Sequence, residues 1–149
     1  HHTFYIELLI QNDMYPPEIV MPMKQDITSA GVEELLTPED VDNAIKAEGT
    51  ALVFINSVCG CAAGNARPAV KMALQNEKTP TRSTTVFAGF DKDAVAQARQ
   101  HMAPYPPSSP SIALFKDGNL VHFIERHHIE GRPAEMIAEN LKGAFDEFC

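Results

Sequence analysis

An α/β fold, with a central mixed sheet of about four strands flanked by helices, follows from three features of the sequence. Apolar runs of strand length alternate with helical patterns through residues 37–102. Lys116-Asp117-Gly118-Asn119 separates two further apolar runs and reads as a hairpin turn. The tripeptide Cys59-Gly60-Cys61 sits where a strand gives way to a helix. The chain of 149 residues suits one domain, and its 44% hydrophobic content is enough for an ordinary core.

The elements follow in order. Glu18 to Ala30 forms an extra N-terminal helix, with Ile19, Val20, Met23 and Ile27 at helical spacing and Gly31 as its stop. Pro22 falls in its first turns, where a missing N–H costs least. Thr37-Pro38-Glu39-Asp40 starts the next helix with a threonine cap and a proline in the first turn; Gly49 ends it. Ala51 to Asn56 is a buried strand, and Ala62 to Asn76 a helix kinked at Pro68. Thr84 to Gly89 is the next strand and Asp91 to Met102 the helix after it. Prolines crowd residues 104–110, then Ser111 to Phe115 and Leu120 to Glu125 form the hairpin. Arg132 to Phe148 closes the chain as an amphipathic helix carrying Met136, Ile137, Leu141, Phe145 and Phe148.

Strand–helix–strand units make part of the sheet parallel, and the hairpin adds antiparallel strands. This order, with a dithiol after the first strand, is the thioredoxin-like arrangement, preceded by the extra helix.

The net charge of −8, with no basic cluster, argues against a nucleic-acid or anionic-membrane partner. No apolar run approaches the roughly 20 residues that span a bilayer. Residues 1–13 read as an expression-tag remnant or N-terminal extension, since His1-His2 resembles the end of a tag and Met14 a natural start. The domain proper is then 14–149. Tyr5 to Ile10 is too short for an export signal and carries Glu7, so the expected location is cytoplasmic. An odd count of three cysteines does not suggest a disulfide framework and turns attention to redox, catalytic or metal chemistry.

Cys59 and Cys61 have three readings: small core residues, half of a metal site, or a redox pair. A helix start offers unpaired N–H groups and the positive end of the helix dipole, which favour a thiolate. Cys59, nearer the strand end, is the expected nucleophile and Cys61 its shielded partner. A Cys-x-Cys disulfide closes a smaller ring than Cys-x-x-Cys, which makes it more oxidising, and Gly60 is expected to relieve the ring by adopting unusual backbone angles. A metal site would need distant ligands, and Cys149, His122, His127 and His128 form no paired motif.

Ser109-Pro110 precedes the hairpin strand, where folds of this class place a cis-proline against the dithiol; an edge-strand proline is the alternative. The Ser109 backbone would then face the substrate. Asn65 and Arg67 follow Cys61 closely. Arg67 is read either as a source of positive potential and a substrate contact or as a solvated arginine. Cys149 is a free thiol, or one that resolves or protects another cysteine.

The run from Asn56 to Pro68, Asn-Ser-Val-Cys-Gly-Cys-Ala-Ala-Gly-Asn-Ala-Arg-Pro, closely resembles the signature of the bacilliredoxin family. Phe87-Ala88-Gly89, Ser108 to Ser111, Leu114 to Gly118, His127 to Arg132 and Cys149 extend the resemblance over 14–149. The resemblance implies an enzyme that acts on protein mixed disulfides with bacillithiol, a small bacterial thiol. Cys59 would take the small thiol from an S-thiolated client protein, and Cys61 or a second small thiol would release it. It implies bacillithiol or another low-molecular-weight thiol as co-substrate, no tightly bound cofactor, and weak disulfide isomerase activity. A non-catalytic module binding a metal or partner through the same thiols is the alternative of another kind.

Overall fold

The computed structural model describes residues 14–149; the extension read at 1–13 lies outside the described residues. Among the described residues, five helices and five strands follow one another as α1 (Pro17–Thr28), β1 (Glu33–Glu34), α2 (Pro38–Lys46), β2 (Thr50–Asn56), α3 (Arg67–Ala73), β3 (Arg82–Phe87), α4 (Lys92–His101), β4 (Ser111–Lys116), β5 (Asn119–Ile124) and α5 (Ala134–Phe148). A π-helical turn, Ala62–Ala66, leads into α3, and a 3-10 turn, Arg126–His128, follows β5.

The sheet runs β1-β3-β2-β4-β5. β1 and β2 both lie parallel to β3, whereas β4 is antiparallel to β2 and β5 antiparallel to β4. β2 is therefore central and buried along its whole length. Alternation along β2 divides the core, as a strand's period of two requires. Leu52 and Phe54 join Ile27, Val70, Leu141 and Phe145 on one face. Ala51, Val53 and Ile55 join Val41, Ile45, Val95 and Phe115 on the other. Full burial of a side chain such as Phe54 contributes about 1.5–3 kcal/mol relative to exposure.

Local chemistry sets the ends of the elements. Thr37 Oγ1 accepts the Asp40 N–H at 3.1 Å and opens α2 as expected. The carbonyls at the other end of α2 are taken by Arg82, whose guanidinium donates to Ala44, Ala47 and Glu48 at 2.9–3.0 Å. The hairpin turn places Asp117 at φ 50° and Gly118 at φ 85°, the left-handed pair that a two-residue hairpin loop needs. Among the described residues no helix is long and apolar enough to cross a membrane.

The sheet has one strand more than the four expected. β1 is only two glutamates long, and it is paired to Thr84 and Thr85 while Val32 and Leu35 beside it are buried. The kink expected at Pro68 takes another form. Pro68 sits in the first turn of α3, and the distortion lies just upstream in the π turn, where the Arg67 N–H reaches back to the Ala62 carbonyl. A proline at 68 has no N–H for the Gly64 carbonyl and crowds it, so the preceding turn widens.

Candidate active site

β2 ends at Asn56 and the chain turns through Ser57-Val58 into Cys59. Buried Asn56 fixes this turn. Its Oδ1 accepts from the Ser57 N–H at 2.9 Å and from Arg67 Nη1 at 3.0 Å, while its Nδ2 donates to the Met23 carbonyl at 3.2 Å. Arg67 Nη1 also donates to the Ser57 carbonyl at 3.0 Å, and its Nε to Asp26 at 3.1 Å. A polar network filled in this way holds one geometry. Ser57 Oγ then accepts the Cys59 N–H at 3.2 Å.

Cys59 stands where a helix cap would. Its carbonyl accepts the N–H groups of Ala62 at 2.9 Å and Ala63 at 3.2 Å, and its sulfur accepts the Cys61 N–H at 3.4 Å. Sulfur thus does the work of a capping oxygen, and negative charge on it is favoured there. The Cys61 sulfur lies 2.6 Å from that of Cys59, and both cysteines are free and half-buried.

The two thiols differ in acidity. Burial pushes the Cys59 thiol up, but hydrogen bonds from the Cys61 thiol and the Cys61 N–H, the Arg126 charge and the Ala62 N–H outweigh it, and the thiol is lowered. Burial pushes Cys61 up to about 11, and its hydrogen bond to Cys59 and the charge on Cys59 act in the same direction. Of the two, Cys59 therefore gives up its proton first, and the resulting thiolate is held by the Cys61 thiol. One sulfur is ready to attack a disulfide, and the other becomes competent once the first has lost its charge.

Cys59 opens on a cleft of about 310 Å³ whose lining includes Tyr15, Ser57, Gly89, Ser109 and Arg126. Ser109 is brought there as the hairpin position suggested, and the Ser109–Pro110 bond is cis, with Pro110 buried. Arg67 and Asn65 are not part of the lining. Arg67 is turned inward at 4% exposure, bound as described above, so it is neither a solvated arginine nor a group facing the cleft. Asn65 Nδ2 donates to the Arg132 carbonyl and ties the π turn to the segment before α5. The reason is common to both: the widened turn directs their side chains toward neighbouring elements rather than over the sulfurs. Gly60 likewise departs from expectation. It is not among the residues at positive φ, and a Cβ there would meet nothing within 4 Å.

The positive group that sequence reasoning missed is Arg126. Its Nη1 donates to the Ser109 carbonyl at 3.1 Å and its Nε pairs with Glu130. The hairpin carried the signal. Ile112 pairs with Ile124, so continuing the register by two residues sets Arg126 opposite Pro110. The His127 and His128 ring centroids lie 4.0 Å apart with their planes tilted by 49°, and His128 lines a separate cavity with His122 and Met136. Cys149 is exposed at the end of α5. Among the described residues, no group of three or more His, Cys, Asp or Glu side chains is arranged to hold a metal ion.

Fold and dithiol together define a thiol–disulfide oxidoreductase. Comparison with known proteins agrees on both counts. Mitochondrial thioredoxin 3 of Saccharomyces cerevisiae superposes with a TM-score of 0.55 over 82% of this chain and 98% of its own, at 17% identity. A thioredoxin of Malassezia sympodialis gives a TM-score of 0.53 over 78% of this chain and 90% of its own, at 12% identity. These likenesses establish the thioredoxin-like fold. A family model described as disulphide isomerase matches residues 15–149. A bacilliredoxin of Cytophaga hutchinsonii is 60% identical over 90% of this chain and 99% of its own length. One of Halalkalibacterium halodurans is 52% identical over 91% and 94%. The chain belongs to the bacilliredoxin family.

Proposed function

We propose that the protein removes a low-molecular-weight thiol, bacillithiol in hosts that make it, from S-thiolated client proteins. The observation that carries the reading is the Cys59–Cys61 pair, 2.6 Å apart with one thiol lowered and the other pushed up to about 11. The Cys59 thiolate attacks the small-thiol sulfur of the mixed disulfide. The Cys59–small-thiol bond forms, the client's S–S bond breaks, and the client leaves as a thiolate that takes a proton from solvent. Cys61, no longer facing a charged neighbour, then loses its proton and attacks Cys59. The small thiol is expelled and a Cys59–Cys61 disulfide remains, which two equivalents of an external thiol return to the reduced state. Alternatively a second small thiol attacks the adduct directly. Arg126 steadies the charge on Cys59, and the Ser109 backbone borders the path of the bound disulfide.

A client protein carrying bacillithiol on a single cysteine tests this. Wild type should regenerate the client thiol, Cys59→Ala should release none, and the rate should fall when cysteine replaces bacillithiol on the same client. Equal release by Cys59→Ala and wild type would refute the reading. Disulfide isomerisation, the second reading, draws on the description of the matching family. It uses the same first attack, directed at a disulfide within one protein.

A further inference from the structure

The segment after β5 is tied to the site at both ends. At its start, Arg126 donates from Nη1 to the Ser109 carbonyl at 3.1 Å and from its backbone N–H to Ser108 Oγ at 3.4 Å. At its end, the Arg132 carbonyl accepts from Asn65 Nδ2 in the π turn that follows Cys61. Arg132 Nη1 also donates to the His127 carbonyl at 3.0 Å and closes the segment on itself. Glu130 lies inside this clamp. Its N–H donates to the Arg126 carbonyl at 2.9 Å, and its carboxylate pairs with Arg126 Nε. The two side chains are 44% and 53% exposed, so the pair contributes little to stability. Its placement matters more. Arg126 lines the Cys59 cleft, and the carboxylate that holds it stands close enough to Cys61 to push that thiol up.

The charges felt at Cys61 are those of Cys59, Arg126 and Glu130; Cys59 and Glu130 act in one direction and Arg126 opposes them. Tyr15 is the other titratable group lining the Cys59 cleft, and Glu125 faces His127 Nδ1 at 3.5 Å. The first exchange removes only one of the two negative charges. Cys59 becomes neutral when it takes up the small thiol, whereas Glu130 keeps its charge. We propose that Glu130 is a positioning residue that delays the second exchange: it fixes Arg126 at the Cys59 cleft and keeps a negative charge near Cys61 after Cys59 has become neutral. This rests on the proposed attack by Cys59 and adds a control to it. The longer the Cys59 adduct persists, the larger the share released by a second small thiol rather than by Cys61.

The test uses the full chain with Cys149→Ser in every variant, so that the exposed thiol does not react. The reduced protein is mixed with uncharged bis(2-hydroxyethyl) disulfide, quenched with acid at intervals and weighed by mass spectrometry. In the first step Cys59 takes one 2-mercaptoethanol and releases the other as a thiolate. In the second, Cys61 gives its proton to solvent, attacks Cys59 and expels the remaining 2-mercaptoethanol, leaving the internal disulfide. In Glu130→Gln the pH midpoint of the second step should fall by about half a unit, the scale of one screened surface charge. Near neutral pH that step should run about twofold faster, the gain in thiolate being partly offset by lower nucleophilicity. The difference should fade in about 1 M salt, where the screening length is about 3 Å. Glu130→Asp, which keeps the charge, should resolve as wild type does. A second step unchanged or slowed in Glu130→Gln overturns the proposal, as does a second step equally fast in Glu130→Asp. Either would leave Glu130 a strut for Arg126 and nothing more. If wild type forms no Cys59 adduct, the exchange reading itself fails. Glu130 is then decided by the Cys61 midpoint in the reduced protein, followed by its ¹³Cβ resonance. A lower midpoint in Glu130→Gln supports the assignment, and an unmoved one overturns it.

Discussion

The Cys59 sulfur takes hydrogen bonds from the thiol and the backbone N–H of Cys61, and the Arg126 charge lies close enough to be felt. Acidity at this residue is thus built from neighbours that stabilise the thiolate and together outweigh burial. Alkylation against pH reads the result. Cys59 should react at a pH below the ordinary cysteine range, whereas Cys61, pushed up to about 11 while Cys59 carries its charge, should be labelled only after it. Arg126→Gln removes a group that favours the thiolate, so the Cys59 midpoint should move upward, and peptide mapping should still find Cys59 alkylated first. A midpoint that moves downward, or first labelling at Cys61, would contradict the assignment. Gly60 gives a second test. Its backbone is open to any residue and a Cβ would have room. In the reduced protein Gly60→Ala should therefore be neutral to stabilising, by up to about 1 kcal/mol, because alanine has fewer unfolded conformations to lose. Urea unfolding measures this, and a loss of stability would show that the glycine is required by the backbone after all.

At the scale of elements, the approach to Cys59 is held from below. Arg67, from the first turn of α3, joins the Asn56–Ser57 turn to Asp26 on α1, and Lys71 reaches the same carboxylate at 2.7 Å. The hydrogen bond from Lys71, opposed by partial burial and aided by the Lys71 charge and by Arg67, holds the Asp26 carboxyl below its ordinary value. A depressed carboxylate contributes stability that is complete above the unfolded-state value and is lost as pH falls through the native one. Urea midpoints should therefore drop as pH falls below about 3.8, and part of that drop should be missing in Asp26→Asn. The contribution is modest, since the Asp26 side chain is 39% exposed and water screens the pair. Most elements here were legible because their signals are local. Thr37-Pro38 announces a helix start, Asp117-Gly118 a hairpin, and the apolar run 51–56 a central strand. β1 was not legible, because Glu33–Glu34 has no apolar period and exists only through its pairing with β3. The inward course of Arg67 was hidden for a similar reason. Asp26, its partner, is 41 residues away, and sequence spacing says nothing about which face a widened π turn presents.

Across the whole molecule, one end of the sheet assembles the site. β2 delivers Asn56 and the cysteines, β3 delivers Ala88 and Gly89 just past Phe87, and the hairpin β4–β5 delivers Ser109 and Arg126. The dithiol and Ser109 could be placed from sequence, since each adjoins an obvious strand. Arg126 could not be ranked above other arginines until the register Ile112–Ile124 was known. The sheet order thus explains why residues as far apart in sequence as Ser57 and Arg126 line one cleft. The central claim is that Cys59 attacks first and Cys61 resolves. Mass spectrometry of Cys61→Ala after incubation with a client carrying bacillithiol tests it most directly. The account predicts a client freed of bacillithiol, with the small thiol retained on Cys59 as a stable adduct. Bacillithiol left on the client, or found on a cysteine other than Cys59, would contradict it.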